Sequence, residues 1–343
     1  MPFSTDTWPI AVALLQFPAV SRTGSIAQDA EPEAWETAFR KVSRAGFTEV
    51  DLTDVWVRVG DLSEPRLVEF GAAASAAGLT APAISIIRRS VLDANSGLEN
   101  LAYSHRSIDA AAALGVGVVS VGLHQELTTE QREQLWFWTA PGHCDPVGDT
   151  EMWDRAVSRL RELGTHAAEV GVLLSLEMYE DTYLGTADSA VRLVEEIDLP
   201  SVGLNPDTGN LLRLHRAIDD WRELLERTLP YANYWHVKNY QRDEDRKIDR
   251  YVALPSTLEG GVISYREALE IAVAAGFQGA ICCEQYGGDG LSVSGSNRRY
   301  LQSILPETAD YYPGLSKRLQ VAPRVAAQTS PPRMETHNDP HLR

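Results

Sequence analysis

The chain has 343 residues, 44% hydrophobic and 23% charged, the balance of a folded protein with a sizeable core and not of a disordered chain or a disulfide scaffold. Its 48 acidic residues outnumber 31 basic ones, and the formal charge of -17 repels phosphate backbones and anionic bilayers, which argues against nucleic acid or a membrane as partner. Three cysteines, with Cys282 and Cys283 adjacent in an apolar run, form no framework, and with no signal-like start or 18-residue apolar run the expected location is the cytoplasm.

The predicted order is strand 10–16, helix 32–45, strand 47–52, helix 64–77, strand 80–86, helix 97–114, strand 116–122, helix 151–169, strand 172–178, helix 186–197, strand 200–204, helix 216–228, strand 232–238, helix 264–275 and strand 278–284. At five joints a glycine (Gly46, Gly78, Gly115, Gly171, Gly276) stands between a helical pattern and an apolar run, where a left-handed helix cap favours it. Ser264 with Glu267 has the spacing of a capping box. Eight strands alternating with helices predict a single (β/α)8 TIM barrel over 1–317, followed by a Pro-rich, mobile tail over 318–343. A doubly wound sheet would carry a phosphate-binding glycine loop after its first strand, and residues 16–20 hold none. The long connections at 123–150 and 239–263 both follow strands, on the side where a barrel carries its active loops.

Four strand ends finish in metal-ligand types: Glu177, Asp207, His236 and Glu284. Their separations (177 to 207, 30; 207 to 236, 29; 236 to 284, 48) match successive βα units, so all four can meet at one mouth. Three carboxylates and an imidazole form a mainly hard site that suits Mn2+, with Mg2+ an alternative. A lone strand-end carboxylate is usually an ion-pair partner, but four together need a cation to offset their repulsion.

The segments Ser175-Leu176-Glu177, Asn205-Pro206-Asp207-Thr208-Gly209-Asn210, His236-Val237-Lys238 and Glu284 resemble the xylose-isomerase-like sugar isomerases and epimerases over roughly 10–305. That resemblance implies one divalent ion held by Glu177, Asp207, His236 and Glu284. Asn210 departs from the histidine that many ketose epimerases carry shortly after this aspartate.

The loop Trp136-Phe137-Trp138-Thr139-Ala140-Pro141-Gly142-His143-Cys144 adds adjacent aromatics suited to stacking on a flat ligand, or to plugging the rim. His143 has the pKa range of a base for a proton beside a ketone. With this loop the chain resembles the catalytic subunits of bacterial C-glycoside deglycosidases. The likeness implies that His143 removes the proton beside the ketone of a 3-oxo-C-glycoside, that β-elimination of the aglycone breaks the carbon–carbon bond, and that a smaller β subunit assists. Lys238, Trp136, Trp138, His124 and Asn210 are the expected substrate-binding residues, and no nicotinamide or flavin motif is present. The alternatives are a sugar isomerase or epimerase working alone, and a sugar-binding subunit without catalysis.

Overall fold

The structure is a computed structural model that describes residues 3–145, 147–307 and 314–321. Eight parallel strands build the barrel: β1 (Ile10–Ala13), β2 (Glu49–Asp51), β3 (Thr80–Ser85), β4 (Val118–Gly122), β5 (Leu173–Glu177), β6 (Val202–Asn205), β7 (Trp235–Val237) and, after a hairpin, β10 (Ile281–Cys283). They pair in the order β6-β5-β4-β3-β2-β1-β10-β7. Leu204 of β6 bridges in parallel to Ala232 just ahead of β7, and the Asn205 side chain accepts from the His236 amide at 2.7 Å, which nearly closes the ring.

The strand pleat sorts the residues. Ile10, Val12, Val50, Leu174, Leu176, Leu204, Trp235 and Ile281 point outward into the main core beneath the helices. The inward positions carry small or polar residues, including Ala11, Ala13, Ala83 and Cys282 in an inner cluster with Tyr234. Small side chains predominate in that cluster, which also holds Val118, and polar side chains such as Glu177 and His236 take inward positions above it.

Around the strands lie α1 (Pro32–Arg44), α2 (Glu64–Ala76), α3 (Gly97–Leu114), α5 (Thr150–Glu169), α6 (Ala187–Ile197), α8 (Trp221–Thr228), α9 (Tyr265–Ala274) and α10 (Gly290–Ile304), with the short helices α4 (Thr129–Glu133) and α7 (Thr208–Leu212) above the mouth. All five joint glycines have positive φ, between 67° and 99°, as the helix-to-strand turns require. Thr186 caps α6 through the Ser189 amide, and the Ser264 hydroxyl accepts from the Glu267 amide at the start of α9.

Three features depart from the expectation. Helix α10 was not predicted, because its buried face is made of Gly290, Ser294, Gly295, Asn297 and a single leucine, Leu301, and so lacks an apolar stripe. The connection at 239–263 is not a loop but an antiparallel hairpin, β8 (Asn239–Asp245) with β9 (Arg250–Ser256). Third, Arg242, in a run of charged residues (242–247) whose composition suits a solvated loop, has its side chain tucked under the hairpin and donates to the carbonyls of Leu212 and Leu214 at the end of α7.

Residues 314–321 cross the lower end of the barrel, where the Lys317 amide donates to Pro230, the Leu319 amide to Pro200 and the Gln320 side chain to Ala232. Val321 packs against the inner cluster. The first four residues of the expected tail are therefore docked, and the rest of it lies outside the described residues.

Candidate metal centre at the barrel mouth

Glu177 ends β5, Asp207 lies two residues beyond β6, His236 is central in β7 and Glu284 follows β10. Glu177, His236 and Glu284 share the inward phase of their strands. All four are buried, and one ligand atom from each lies within 4.8 Å of all the others. Donors around one cation at about 2.0–2.2 Å stand up to roughly 4.4 Å apart, so a contraction of a few tenths of an ångström brings the cluster onto a single ion. The structure brings together the four residues that the sequence singled out.

The chemistry of the donors also fits. His236 turns Nε2 toward Asp51 Oδ2 (3.6 Å) and Ser85 Oγ (3.2 Å), while Nδ1 faces Glu177 and Asp207, each at 3.8 Å. Neither His236 Nδ1 nor Asp207 Oδ1 has a hydrogen-bond partner among the described residues, so each is available to a cation. Asp51 is itself fixed by Thr53, Ser85 and Tyr234, at 2.9, 2.6 and 2.5 Å. A carboxylate on the far nitrogen is the usual partner of a metal-binding imidazole, because it fixes the ring and its tautomer. The sequence reading passed over Asp51, although its inward place at the end of a strand was the available signal.

Two close approaches shape the site. A Cβ on Gly122 would sit 2.3 Å from the His124 ring, and one on Gly209 would sit 2.3 Å from the Lys238 side chain. Glycine at 122 lets His124 fold back onto Glu177, with Nε2 3.3 Å from Oε2. Glycine at 209 explains that residue of the Asp-x-Gly-Asn segment, since it admits Lys238 to the cluster. There Lys238 Nζ contacts Asp207 Oδ2 at 2.7 Å and also Glu284 Oε2. Asn210 donates to Glu177 Oε1 (3.2 Å) and to the Met178 carbonyl (3.0 Å), so it orients a ligand carboxylate.

Burial works to raise the Glu177 carboxyl, but the imidazoles of His124 and His236 outweigh it and hold the group well below the usual range. At Asp207 burial wins over Lys238 and the carboxyl is raised. Burial disfavours the His236 cation, yet the carboxylates of Asp51 and Glu177 on its two sides prevail and lift it to about 9, while burial lowers Lys238. Four buried carboxylates (Asp51, Glu177, Asp207 and Glu284) thus share one lysine and two imidazoles, an excess of negative charge that a divalent cation would balance.

Above the cluster the aromatic loop closes the mouth. Trp138 is buried edge-on against Tyr240 and Tyr286, with ring centroids 5.5 and 5.4 Å away, and Trp136 stacks on it at 5.1 Å. Plugging the rim describes Trp138 as the structure stands. Beneath these rings lies a buried ion pair that sequence reasoning missed, Arg213 bidentate to Glu180, with Nε donating to Oε1 at 3.0 Å and Nη2 to Oε2 at 2.9 Å. Residues 33 apart in two different loops give no periodic signal. His143 is exposed on the rim beside a cavity of about 20 Å3 that is also lined by Arg88, Phe137, Tyr179, Glu180 and Asp181. The structure does not bring it to the four-ligand cluster, whereas it does place His124 there. Arg89 pairs with Asp54 at 2.7 Å, and Arg88 lies over Phe137 and Tyr179.

Two residues past His143, Asp145 has a carboxyl pushed up to about 7 by burial, with Asp181 adding to the rise and a hydrogen bond from Gln125 opposing it. The closed loop therefore holds this proton more tightly than an opened loop would, and closure weakens as pH rises from about 4 through 7. Tryptophan emission is expected to shift over that range in the wild type and to stay flat in Asp145→Asn.

Residues 39–304 match the xylose isomerase-like TIM barrel family, and the chain belongs to it. It is 43% identical to a xylose isomerase-like TIM barrel protein from Mycobacterium smegmatis whose crystal structure is a complex with magnesium; the match covers 88% of this chain and 98% of that one, with a TM-score of 0.84. D-psicose 3-epimerase from Clostridium cellulolyticum H10 shares the fold at 15% identity and a TM-score of 0.62, over 87% of this chain and 99% of that one. A curated relative, inosose dehydratase from Geobacillus thermodenitrificans, is 28% identical over 143 residues, 39% of this chain and 47% of that protein. The chain thus matches about half the length of that relative. Among the described residues no helix is long and apolar enough to cross a membrane.

Proposed function

We propose that this protein is a divalent-metal-dependent enzyme of sugar chemistry that removes a proton beside a ketone and expels the group on the next carbon, with the aglycone of a 3-oxo-C-glycoside as the leaving group. The observation that carries the reading is the convergence of Glu177, Asp207, His236 and Glu284 within 4.8 Å under an aromatic rim. The magnesium complex of the M. smegmatis relative supports a hard divalent ion, and a dehydratase among the relatives supports an elimination. Held by these four residues, such an ion would polarise the ketone and stabilise negative charge developing on its oxygen.

The chain's own groups do the rest. His124 is the imidazole nearest the cluster, and its Nδ1 has no hydrogen-bond partner among the described residues, so it has a lone pair to offer the α-proton. The electron pair left on that carbon forms the new double bond as the bond to the aglycone breaks, and the aglycone leaves with the electrons and takes up a proton. Lys238 is placed to hold a sugar oxygen once a cation claims Asp207 and Glu284. Trp136 and Phe137, half-buried on the rim, are the rings an aromatic aglycone would meet. His143 enters as the base only if the rim loop carries it inward. A smaller companion chain completes the reading as partner.

The test follows aglycone release from 3-oxo-C-glycosides, and epimerisation of free ketoses, by the metal-loaded protein with and without a copurifying small chain. His124→Asn is expected to lower turnover by about 10^2–10^4 with metal retained, and His143→Ala by far less. Loss confined to His143→Ala would move the base to the rim. Activity on free ketoses alone would replace elimination by epimerisation.

A further inference from the structure

On the outer helical layer, helices α3 and α5 face each other through two i,i+4 pairs that the mouth chemistry does not use. His105 and Asp109 are one turn apart on α3, and Glu162 and His166 are one turn apart on α5. They form one chain: Glu162 Oε1 to His105 Nε2 at 2.9 Å, His105 Nδ1 to His166 Nδ1 at 2.7 Å, and His166 Nε2 to Asp109 Oδ1 at 2.9 Å. The imidazoles lie 4.9 Å apart between centroids and are partly open to solvent.

Proton counting defines this arrangement. Carboxylates only accept, so each Nε2 carries a hydrogen. Two bare lone pairs would repel at 2.7 Å, so a third hydrogen lies between the Nδ1 atoms. The two rings therefore share one extra proton at the point where two nitrogen donors converge, and each ring is backed on its far side by a carboxylate. A carboxylate behind each ring is the outer support of metal-bound imidazoles.

We infer that His105 and His166 form a second cation site, distinct from the barrel mouth, for a borderline transition-metal ion of the Zn2+ or Cu2+ class. Imidazole nitrogen selects such ions over Mg2+. The ion takes the place of the shared proton: two N–metal bonds form, one N–H bond breaks, and one proton is released per ion from the central position. Metal–nitrogen distances of about 2.0–2.1 Å at a tetrahedral angle need the nitrogens roughly 3.3 Å apart, a small opening for two half-exposed side chains. Water fills the remaining positions, and Glu162 and Asp109 stay on the outer nitrogens to fix both tautomers.

The test is zinc stoichiometry on the full chain by calorimetry in excess Mg2+, repeated in two buffers of different ionisation enthalpy. Wild type is expected to bind one more zinc ion than His166→Gln or His105→Gln, with melting curves checking that both variants are folded. Glu162→Gln keeps both imidazoles and should weaken the extra site about tenfold. Cu2+ added to the wild type should give an electron paramagnetic resonance signal split by two nitrogens, absent from His166→Gln. Equal stoichiometry in the wild type and both histidine variants overturns the site, as does an extra ion that Mg2+ displaces.

Discussion

Replacing Lys238 by methionine is expected to lower the melting temperature of the metal-free protein by about 5 °C and to tighten, not weaken, its hold on a divalent cation. The ammonium lies between Asp207 and Glu284 and is buried with them. Removing one member of a buried ionic cluster costs about 3–5 kcal/mol, because the remaining charges keep their desolvation penalty and lose their partner. At about 2.1 cal/mol/K per residue a chain of 343 residues melts with an entropy of about 0.7 kcal/mol/K, so that is about 5 °C. The sign for metal is opposite. Lys238 repels a cation and occupies two of its ligands, so its loss leaves the carboxylates freer to bind one. Calorimetric melts with chelator and with saturating Mg2+ or Mn2+ provide the check: the cation should recover more of the loss in Lys238→Met than it adds to the wild type. The same loss with and without metal would mean that Lys238 and the cation do not compete.

That competition also shows how far the sequence could be read. The four ligands were legible because each is a polar residue ending an apolar strand, and three of them follow an inward residue two positions earlier: Ser175 before Glu177, Tyr234 before His236 and Cys282 before Glu284. The same phase places Asp51, which ends β2 in the first half of the barrel, far along the chain from the four ligands. What strand phase cannot reveal is which charged side chain fills the space between ligands. Lys238 reaches the cluster only because Gly209 lacks a side chain, a close approach between residues 29 apart. His124 likewise depends on Gly122. Helix α10 and the hairpin escaped for a related reason, since their buried faces hold Asn297, which accepts from the Leu258 amide, and Arg242, which donates to the Leu212 and Leu214 carbonyls, partners that composition does not disclose.

The rim and the cluster are joined electrostatically. Arg213 acts on Lys238, lowering it, and on Tyr240 and Tyr286, which form the wall behind Trp138. A substrate that entered between the rings would therefore meet a guanidinium above the cluster and carboxylates below it, a field suited to orienting a polarised carbonyl. Arg213 lies against the rings of Phe137 and Trp138, so a rim that opened to a substrate would also expose the Arg213–Glu180 ion pair.

Glu180→Gln is accordingly expected to destabilise the protein by about 3–5 kcal/mol, close to 5 °C, and to loosen the rim before the barrel unfolds. Burial opposes the Arg213 charge, and Glu180 more than compensates, so the guanidinium is held firmly protonated. It cannot escape by losing its proton. Its carbon lies 4.7 Å from the ring centre of Phe137, 5.0 Å from Trp138 and 4.9 Å from Tyr179, and those ring faces contribute only about 0.5–2 kcal/mol each, too little to replace a bidentate carboxylate. With glutamine at 180 the charge has to reach water, and the route passes through Phe137 and Trp138. Tryptophan emission should therefore shift red at temperatures where the far-ultraviolet dichroism is still native. Adding Arg213→Met removes the stranded charge and fills the space with an apolar chain of similar length, so the double variant should recover more than half of the lost stability. If the double variant melts no higher than Glu180→Gln alone, the cost lies in packing around residue 180 and not in the buried charge.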